Sequence, residues 1–532
     1  MKAVRMVALL LVFLLAFSVL AACGKEDSKD NADNEKTDEK VDVPNLNPTG
    51  YPIVNEKITI KMMGVDKPSP DRKWEDNRFF KRMEEMTNIH FEFFQYVAQT
   101  YNEKKNLAFA SGDLPDVFFK GRLTAQDEMM YGEQGILIPL EDIIDKYAPN
   151  ISSLFEEHPN IPKGVTLPSG HIVALPSVPE PGSIGHIYIN KKWMDQLGIA
   201  EPETLDDFYK MLKAFKEKDP NGNGKPDEIP LSLVGVGQLK IFLSPWGLLF
   251  NPANVFVDDN DKVVFSPIQP GFKEAMHYMK KLFDEKLLDN ETFTQNFQQQ
   301  TAKGKAEEEL LGAFQNSGAF GRVGEIRNFD YITMIPLKGP AGKQIWTGRE
   351  NFARGTFAIT NKCKHPEAMI RWVDYLYSEE GSILAWSGVE GEEYKVNEDG
   401  SWNWILEEGQ EQSDVRNPGT IQGASQFPHR KEFKFWRKLD NKAEASLWPM
   451  RSRIHPYDKT PYPHVYFSKE RQKQANTLNA DIGGYVDQMM ARFITGDASI
   501  DGEWDNYVSM LKNMGVEELV KIYQDTYDEF IK

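Results

Sequence analysis

The residues best suited by type and spacing to bind a ligand form a short acidic loop before the middle of the chain. Oxygen-bearing residues recur at alternate positions around Gly224. The candidate ligands are Asp219, Asn221, Asn223, the Lys225 carbonyl, Asp227 and Glu228. Alternate residues can turn their oxygens inward around a cation, and glycine permits the sharp bend, as in calcium-binding loops. Since Ca²⁺ takes about 6 to 8 oxygens, this set predicts a structural Ca²⁺ ion as cofactor.

The loop departs from an EF-hand at its end. Pro230 occupies the twelfth position, and the acid lies two places earlier, at Glu228. The alternative is a polar turn without metal, because Asn-Gly pairs form turns by themselves. Every counted oxygen belongs to the protein, so the expected role of the metal is to fix the loop.

A second chemical candidate is a cysteine near the start of the chain. A basic start and a short apolar run precede Leu-Ala-Ala-Cys23. This order indicates a secretory signal peptide over residues 1–22. The four residues ending at Cys23 resemble a bacterial lipobox, in which the cysteine thiol takes a lipid. The alternative is a secreted protein with a chance cysteine at this place. We expect a lipoprotein anchored at the extracellular face of the cell membrane.

Residues 23–50 follow as a polar, acidic stretch with little to bury, so we expect a disordered tether. Folded structure is expected from about Tyr51. The chain has two cysteines, so Cys363 has no disulfide partner once Cys23 is lipidated. The formal net charge of −18 argues against a nucleic-acid partner, whose phosphates attract basic surfaces.

Tryptophans in loop-like segments are candidate contacts for a sugar, because pyranose faces stack on aromatic rings. The ligand-binding candidates are Trp246, Trp346, Trp386 and Trp402, together with Arg349 and Arg354 for an acidic sugar. The alternative is core packing for each tryptophan and an internal ion pair for each arginine. Trp193, Trp372 and Trp504 lie in helical patterns and are expected in the core.

Sequence motifs of common enzymes do not occur. There is no His-Glu-x-x-His zinc motif and no Gly-x-Ser-x-Gly elbow, and the glycines of residues 318–324 are mis-spaced for a dinucleotide fold. We therefore expect that the chain is not an enzyme. A surface polysaccharide hydrolase stays the alternative, because 80 acidic residues always allow a carboxylate pair to be imagined.

Short strand-like runs alternate with longer helical patterns, which predicts sheets flanked by helices. The expected strands are residues 58–60, 89–94, 116–119, 172–175, 186–190, 328–336 and 356–360. The expected helices are residues 74–86, 101–109, 204–218, 267–288, 366–377 and 476–531, the last broken near Gly496 and Gly515. Thr204 and Asp207 form a capping box. About 480 residues follow the tether, so two lobes are expected.

Several stretches occur together in a characteristic order: Ala-Ser-Gly-Asp-Leu-Pro-Asp at 110–116, residues 193–208, the loop at 219–230 and residues 493–527. They resemble family 1 extracellular solute-binding proteins of the LipO lipoprotein type and the alginate-binding proteins. The resemblance implies an α/β fold of two lobes, periplasmic-binding-protein-like (type II), with an inter-lobe cleft and a hinge at residues 176–185. It also implies calcium in the loop, as in the alginate-binding proteins.

The same resemblance implies lobe boundaries and a function. Lobe 1 would comprise residues 51–180 plus 355–400, and lobe 2 residues 181–354 plus 401–532. The chain would be the solute-binding component of an ABC importer. It would capture a small ligand, expected to be an oligosaccharide, and deliver it to ABC permease subunits. We expect a monomer held at the membrane by its lipid.

Overall fold

Two β-sheets with helices packed around them organise the chain. The computed structural model describes residues 43–66, 72–179, 185–340, 342–422, 426–431, 433–441 and 445–532. The signal peptide, Cys23 and residues 24–42 of the expected tether lie outside these ranges. Residues 43–50 of that tether are described, and Leu46 among them is buried and forms a bridge with Val54. No helix within them is long and apolar enough to cross a membrane.

The strands are β1 (Ile58–Asp66), β2 (Ile89–Val97), β3 (Val117–Phe119), β4 (Leu175–Val178), β5 (His186–Asn190), β6 (Val255–Val257), β7 (Val263–Phe265), β8 (Ala313–Asn316), β9 (Tyr331–Thr333), β10 (Trp346–Thr347), β11 (Ala353–Ile359), β12 (Tyr394–Val396), β13 (Trp402–Trp404), β14 (His429–Arg430) and β15 (Asp458–Lys459).

The helices are α1 (Arg78–Thr87), α2 (Ala98–Ser111), α3 (Ala125–Glu133), α4 (Glu141–Tyr147), α5 (Pro149–Glu157), α6 (Asn160–Val165), α7 (Lys191–Leu197), α8 (Leu205–Glu217), α9 (Gly235–Leu239), α10 (Pro270–Asp284), α11 (Phe297–Gly304), α12 (Phe320–Arg327), α13 (Pro366–Asp374), α14 (Glu379–Ser387), α15 (Gln412–Gly419), α16 (Phe433–Trp436), α17 (Leu447–Ser452), α18 (Lys469–Thr495), α19 (Ile500–Asn513) and α20 (Val516–Phe530).

The first sheet has the strand order β14-β4-β11-β3-β1-β2. β1 is parallel to β2 and β3, whereas the returning strand β11 is antiparallel to β3 and β4. Successive residues of β3 point to opposite faces of the sheet. On one face Phe118 stacks on Phe109, with ring centres 5.1 Å apart. On the other face Phe119 packs edge-on against Trp372, with ring centres 5.7 Å apart. Both faces of this sheet are therefore covered by aromatic core.

The second sheet is smaller, with the order β8-β5-β9 and antiparallel pairing throughout. Helix α8 begins at the Thr204–Asp207 capping box, as the sequence predicts. Its buried side chains recur at helical spacing from Phe208 to Phe215 and join one large apolar cluster. Met490 of α18, Leu511 of α19 and Leu519 of α20 join the same cluster, so the three C-terminal helices pack with α8.

One stretch that the sequence assigned to the second lobe contributes to the first sheet. β14, within the expected range 401–532, pairs parallel to β4. Two residues are too few to show strand periodicity, so the sequence could not reveal this pairing. The expected boundary between residues 180 and 181 lies outside the described ranges, and the remaining lobe limits stay predictions.

A buried carboxylate ties the segment after α14 to the first lobe. Glu393 is fully buried and accepts hydrogen bonds from Arg78 Nε of α1 at 2.6 Å and from Val389 N at 2.6 Å. Arg82, one turn along α1, lies 3.1 Å from the same carboxylate. We call Glu393 with Arg78 and Arg82 the Glu393 clamp. The Glu393 carboxylate is removed from water, so its negative charge is stable there only when both arginines compensate it.

Two glycines let the backbone approach this clamp. A Cβ on Gly388 would lie 2.4 Å from a Glu393 carboxylate oxygen, and one on Gly419 would lie 2.6 Å from its Cγ. Gly388 also has a φ of +82°, which side chains disfavour. The clamp thus packs against the end of α14 and the end of α15 together. Asn77 strengthens the link by donating to the Thr420 carbonyl at 2.9 Å.

Replacing Glu393 by alanine should lower the free energy of unfolding by about 3 kcal/mol, because two arginines lose their buried partner. Glu392→Ala is the matched control. Glu392 also pairs with Arg82 but is 58% exposed, so its loss should cost under about 1 kcal/mol. Urea titration followed by circular dichroism measures both. Equal losses in the two variants would contradict the assigned role of the clamp.

Candidate functional site

Two adjoining cavities lie between the first sheet and the elements of the second lobe. They enclose about 210 Å³ and about 700 Å³, and Gln412 and Leu439 line both. We call them the smaller and the larger cavity. Trp386 and Lys431 stand on the first-lobe side, and α17 and the end of α12 stand on the other. Ligand pockets commonly lie at such a boundary between two packed units, so these cavities are the candidate ligand site.

The first-lobe wall is built around Trp386 near the end of α14. Its ring packs against His429 of β14 at 5.2 Å and against Phe427 at 5.5 Å. Burial lowers the pKa of His429 to about 3, so this neighbour is neutral. The Glu393 clamp holds Gly388 two residues further on. Trp386 therefore reaches the smaller cavity from a fixed backbone.

The opposite wall of the smaller cavity comes from α17, which carries Trp448 and Arg451. α17 is anchored to the second sheet through Met450, whose carbonyl accepts a hydrogen bond from Thr333 Oγ1 at 2.6 Å. Arg451 Nη2 lies 3.4 Å from the Ser317 carbonyl, next to β8. The two walls thus belong to different sheets, and the cavity between them spans the lobes.

A third group of residues joins the two cavities. The hairpin β12–β13 places Trp402 in a small aromatic cluster, where its ring stacks on Phe435 at 4.8 Å and its Nε1 donates to the Phe435 carbonyl at 2.9 Å. Trp404 of the same hairpin lines the larger cavity, and Trp436 lines the smaller one. The cluster therefore supports both cavities from behind.

The four predicted tryptophans do not come together. Trp386 lines the smaller cavity, whereas Trp402 is fully buried behind it. Trp346 is 2% exposed, and its Nε1 donates to the Gly185 carbonyl at 2.9 Å. Trp246 is half-buried outside both cavities and donates to Glu274 at 2.9 Å. Trp346 and Trp402 therefore pack in the core, which was the alternative to ligand contact.

Neither of the two predicted arginines lines the smaller or the larger cavity. Arg349 borders a separate surface groove beside His464. Arg354 donates to the Val465 carbonyl at 3.0 Å, and its guanidinium lies 4.0 Å from the centre of the Tyr466 ring. Tyr466 donates in turn to Glu128, whose pKa burial raises to about 7. Arg354 therefore contacts a backbone carbonyl and an aromatic ring of the protein itself.

Sequence reasoning missed most of the residues that line the smaller cavity. The charged and aromatic residues among those missed are Arg416, Lys431, Trp436, Arg437, Trp448 and Arg451. A signal existed in residues 431–452, where tryptophans stand beside or near basic residues in a stretch without helical or strand periodicity. Such interleaving outside a regular element is a reason to suspect an exposed polar site.

The predicted calcium loop is held by its own side chains. Asp219 accepts from the Gly224 backbone N–H at 3.0 Å, so the loop curls around this carboxylate. The amides of Asn221 and Asn223 each donate to Asp227 at 3.0 Å. The loop ends beside β8, where Ile229 bridges to Leu311. The candidate ligands thus face one another in a single turn.

Glu228 shows that the loop has room for a positive charge. Both of its carboxylate oxygens are shielded from water, and neither makes a well-formed hydrogen bond among the described residues. Burial raises the pKa of Glu228, and the charges of Asp219 and Asp227 raise it further, while nearby backbone amides offset only part. A cation would relieve this repulsion.

The donor set fits calcium rather than a softer metal. Within the described ranges, no three His, Cys, Asp or Glu side chains lie together as a metal-binding group. A metal in this loop would therefore depend on the Asn221 and Asn223 amides and the Lys225 carbonyl as well as on the acids. Neutral oxygens combined with carboxylates are what Ca²⁺ accepts.

The cysteines offer no chemistry within the described residues. Cys363 is unpaired, and burial raises the pKa of its thiol to about 12, which keeps it protonated. A protonated, largely buried thiol is a poor nucleophile. The lipidation candidate Cys23 lies outside the described residues.

With this geometry, the class of the protein follows from the comparisons. The chain belongs to the bacterial extracellular solute-binding proteins, because the model of that family matches residues 75–383. The family and the two-lobe α/β fold that the sequence predicted are thereby confirmed.

Among individual relatives, FusA, the fructooligosaccharide ABC transporter substrate-binding protein of Streptococcus pneumoniae, is 28% identical over 97% of this chain and 96% of its own. Lipoprotein LipO of Bacillus subtilis is 24% identical over 88% of this chain and 92% of its own.

Solved structures give the same picture. Two structures of FusA are similar to this one: the complex with kestose, 27% identical, and an EF-hand mutant in complex with fructo-nystose, 28% identical. Each has a TM-score of 0.71 and is matched over 89% of this chain and 99% of its own. The alginate-binding protein AlgQ2 without calcium ion, 23% identical, has a TM-score of 0.66 over 90% of this chain and 100% of its own, and shows the fold alone.

Proposed function

We propose that this chain is the solute-binding component of an ABC importer and that it captures an oligosaccharide between its lobes. The observation that carries the proposal is the convergence of Trp386, Trp436 and Trp448 on one inter-lobe cavity. Indole rings offer flat apolar faces to pyranose or furanose rings, while polar neighbours hold the hydroxyls. FusA, similar to this chain over nearly its whole length, is a substrate-binding protein for fructooligosaccharides.

The proposal assigns binding and release to this chain, and no bond-breaking step. The larger cavity, about 700 Å³, lies next to the smaller one, so several sugar units can bind in a row. An ABC permease would receive the solute. The hydrolase alternative has no support from the relatives, which are named as binding proteins and a lipoprotein.

A structural calcium ion in the loop of residues 219–228 belongs to the same proposal. The two shielded Glu228 oxygens support it, and so does the existence of an EF-hand mutant of FusA. When bound, the ion would neutralise Asp219, Asp227 and Glu228 together. The loop residues line neither cavity, so the role of the ion is then to fix the turn between α8 and Leu311.

The proposal also retains the lipid anchor at Cys23 and a monomeric binding unit. The anchor is supported by the lipobox-like Leu-Ala-Ala-Cys23 and by the polar stretch that follows it. A tether of this composition leaves the lobes free to meet a permease at the membrane surface.

Oligosaccharide binding should raise the melting temperature of the purified mature chain without any product being formed. At a hundredfold excess of ligand over Kd, the stabilisation is about 2.7 kcal/mol. A thermal-shift panel that includes kestose, followed by chromatography of the sugars, measures both effects. Trp386→Ala should abolish the shift, whereas Trp246→Ala, outside the cavities, should retain it. Release of shorter sugars would contradict the transport role.

Chelation by EDTA should lower the melting temperature of the wild-type chain and leave the double variant Asp219→Ala, Asp227→Ala unchanged. The reason is that calcium stabilises only the state in which its ligands are assembled. Asp206→Ala with Asp195→Ala, two acids outside the loop, is the control and should stay sensitive to EDTA. The loop is excluded as the metal site if all three proteins respond alike.

Replacing Cys23 by serine should move the protein from the membrane fraction to the medium or the soluble fraction, because a hydroxyl cannot take the thioether-linked lipid. Cys363→Ser is the matched control and should stay at the membrane. Fractionation followed by immunoblotting reads out both variants. Membrane retention of the Cys23 variant would contradict the proposed anchor.

A further inference from the structure

A short segment just before α18 connects the apolar cores of the two lobes. Tyr462 and Phe467 pack on the large cluster that contains α8, whereas Tyr466 between them packs on the first-lobe cluster that contains Phe118. We call residues 462–467 the crossing segment. Because its side chains are divided between two cores, a movement of one lobe against the other has to turn or displace this segment.

Tyr466 is held on the first-lobe side at its hydroxyl and at its ring. The hydroxyl donates to a carboxylate oxygen of Glu128 on α3, and the Val165 carbonyl at the end of α6 lies 3.2 Å from the same hydroxyl. The guanidinium of Arg354, on β11 of the first sheet, lies 4.0 Å from the centre of the ring. Arg354 also donates to the Val465 carbonyl at 3.0 Å. Three separate elements thus hold the crossing segment through one tyrosine.

Glu128 gives this contact a charge that protonation removes. Its side chain is 1% exposed, and burial raises the pKa of its carboxyl to about 7, although Arg354 and the Tyr466 hydroxyl favour the ionised form. The other charges that act on it are Asp127, its neighbour on α3, and Lys105 of α2, which is paired with Asp127. The carboxyl group therefore changes its charge near neutral pH.

Two further titratable groups lie near Arg354. His464 packs on Phe352 with ring centres 5.0 Å apart, and desolvation together with the Arg354 charge lowers the pKa of its imidazole to about 4. It is therefore neutral throughout the range in which Glu128 titrates. Burial raises the pKa of Glu350, which accepts from the His464 backbone N–H at 3.4 Å instead of from Tyr466.

The two charge states of Glu128 hold Tyr466 with different strength. The ionised carboxylate accepts a charge-assisted hydrogen bond, which is roughly twice as strong as one between neutral groups. It also attracts the Arg354 guanidinium that stacks on the same ring. A protonated carboxyl keeps only a neutral hydrogen bond and loses the attraction to Arg354. The hold on the crossing segment is therefore weaker when Glu128 is protonated.

We propose that Glu128 and Tyr466 form a proton-sensitive latch, which restricts the relative movement of the two lobes when Glu128 is ionised and releases it when Glu128 is protonated. Neither residue lines the smaller or the larger cavity. The latch acts on binding through the fraction of molecules in which both lobes line the cavity, because that fraction scales the apparent affinity. It is a property of the two-lobe fold and holds for any class of solute.

The experiment measures the separation of the lobes directly and without a solute. Spin labels are attached to Leu107→Cys on α2 and Met510→Cys on α19, both exposed, in the mature chain with Cys23 and Cys363 replaced by serine. Double electron–electron resonance gives the distances between the labels at about pH 8 and about pH 6, on either side of the pKa of Glu128. At the lower pH, the population outside the main distance peak should rise by up to about tenfold, the factor that a hydrogen bond to a charged group contributes.

Conservative variants identify the residues responsible. Glu128→Gln keeps the size of the side chain and removes its charge, so its distances at both pH values should match those of the wild type at the lower pH. Tyr466→Phe removes the hydroxyl and should have the same effect. Tyr462→Phe is the matched control, because it removes a hydroxyl of the same segment that donates to the Tyr523 carbonyl at 2.7 Å, within the second-lobe core. It should keep the wild-type response, and circular dichroism confirms that each variant is folded.

Each contrary outcome overturns the latch. Wild-type distances that are the same at both pH values would show that protonation does not release the lobes. A response that survives Glu128→Gln would belong to another group, such as Glu350. Equal effects of Tyr462→Phe and Tyr466→Phe would indicate a general loosening of the crossing segment. No sugar is present in this experiment, so its failure is distinct from a failure of the proposed oligosaccharide binding.

Discussion

The pairing of Glu393 with Arg78 and Arg82 is the constraint on which the candidate ligand site depends. It joins α1, an element of the first lobe, to a segment more than 300 positions later in the chain. A buried carboxylate tolerates little displacement from its cations, because any separation leaves a charge without compensation. Gly388 and Gly419 lie against it, so α14 and α15 are fixed together. Trp386 and Arg416 consequently face the cavity from a rigid support.

Local patterns predicted the elements whose signals lie in neighbouring residues. They missed the four helices between residues 125 and 165, and the strand expected at residues 172–175 is β4, Leu175–Val178. α8 begins at its capping box, and α18, α19 and α20 are separated near Gly496 and Gly515, because these features depend on neighbouring residues. The structure of residues 379–452 could not be predicted from local patterns. Their path is set by contacts distant in sequence, such as that of Asn77 with Thr420, and β14 becomes a strand only because β4 lies beside it.

The calcium-type loop and the candidate ligand cavity also differ in how far local sequence predicts them. The calcium-type loop could be predicted from spacing, since its candidate ligands are close in sequence and the charges of Asp219 and Asp227 act directly on Glu228. The ligand cavity cannot, since Trp346 and Trp386 look alike in sequence. Trp346 was buried by the approach of Gly185, and Trp386 was left beside a cavity by the packing of β14.

The lining of the smaller cavity comes entirely from residues between 386 and 451, and the larger cavity adds only the end of α12 and Phe329 to that stretch. The family match ends at residue 383, just before it. The residues proposed to contact the ligand in the smaller cavity thus form one continuous stretch of the chain, with elements of the two sheets and the C-terminal helices on either side of it. Exchange of a single uninterrupted segment between paralogues could give a lineage a new nutrient while the rest of the receptor stays as it is.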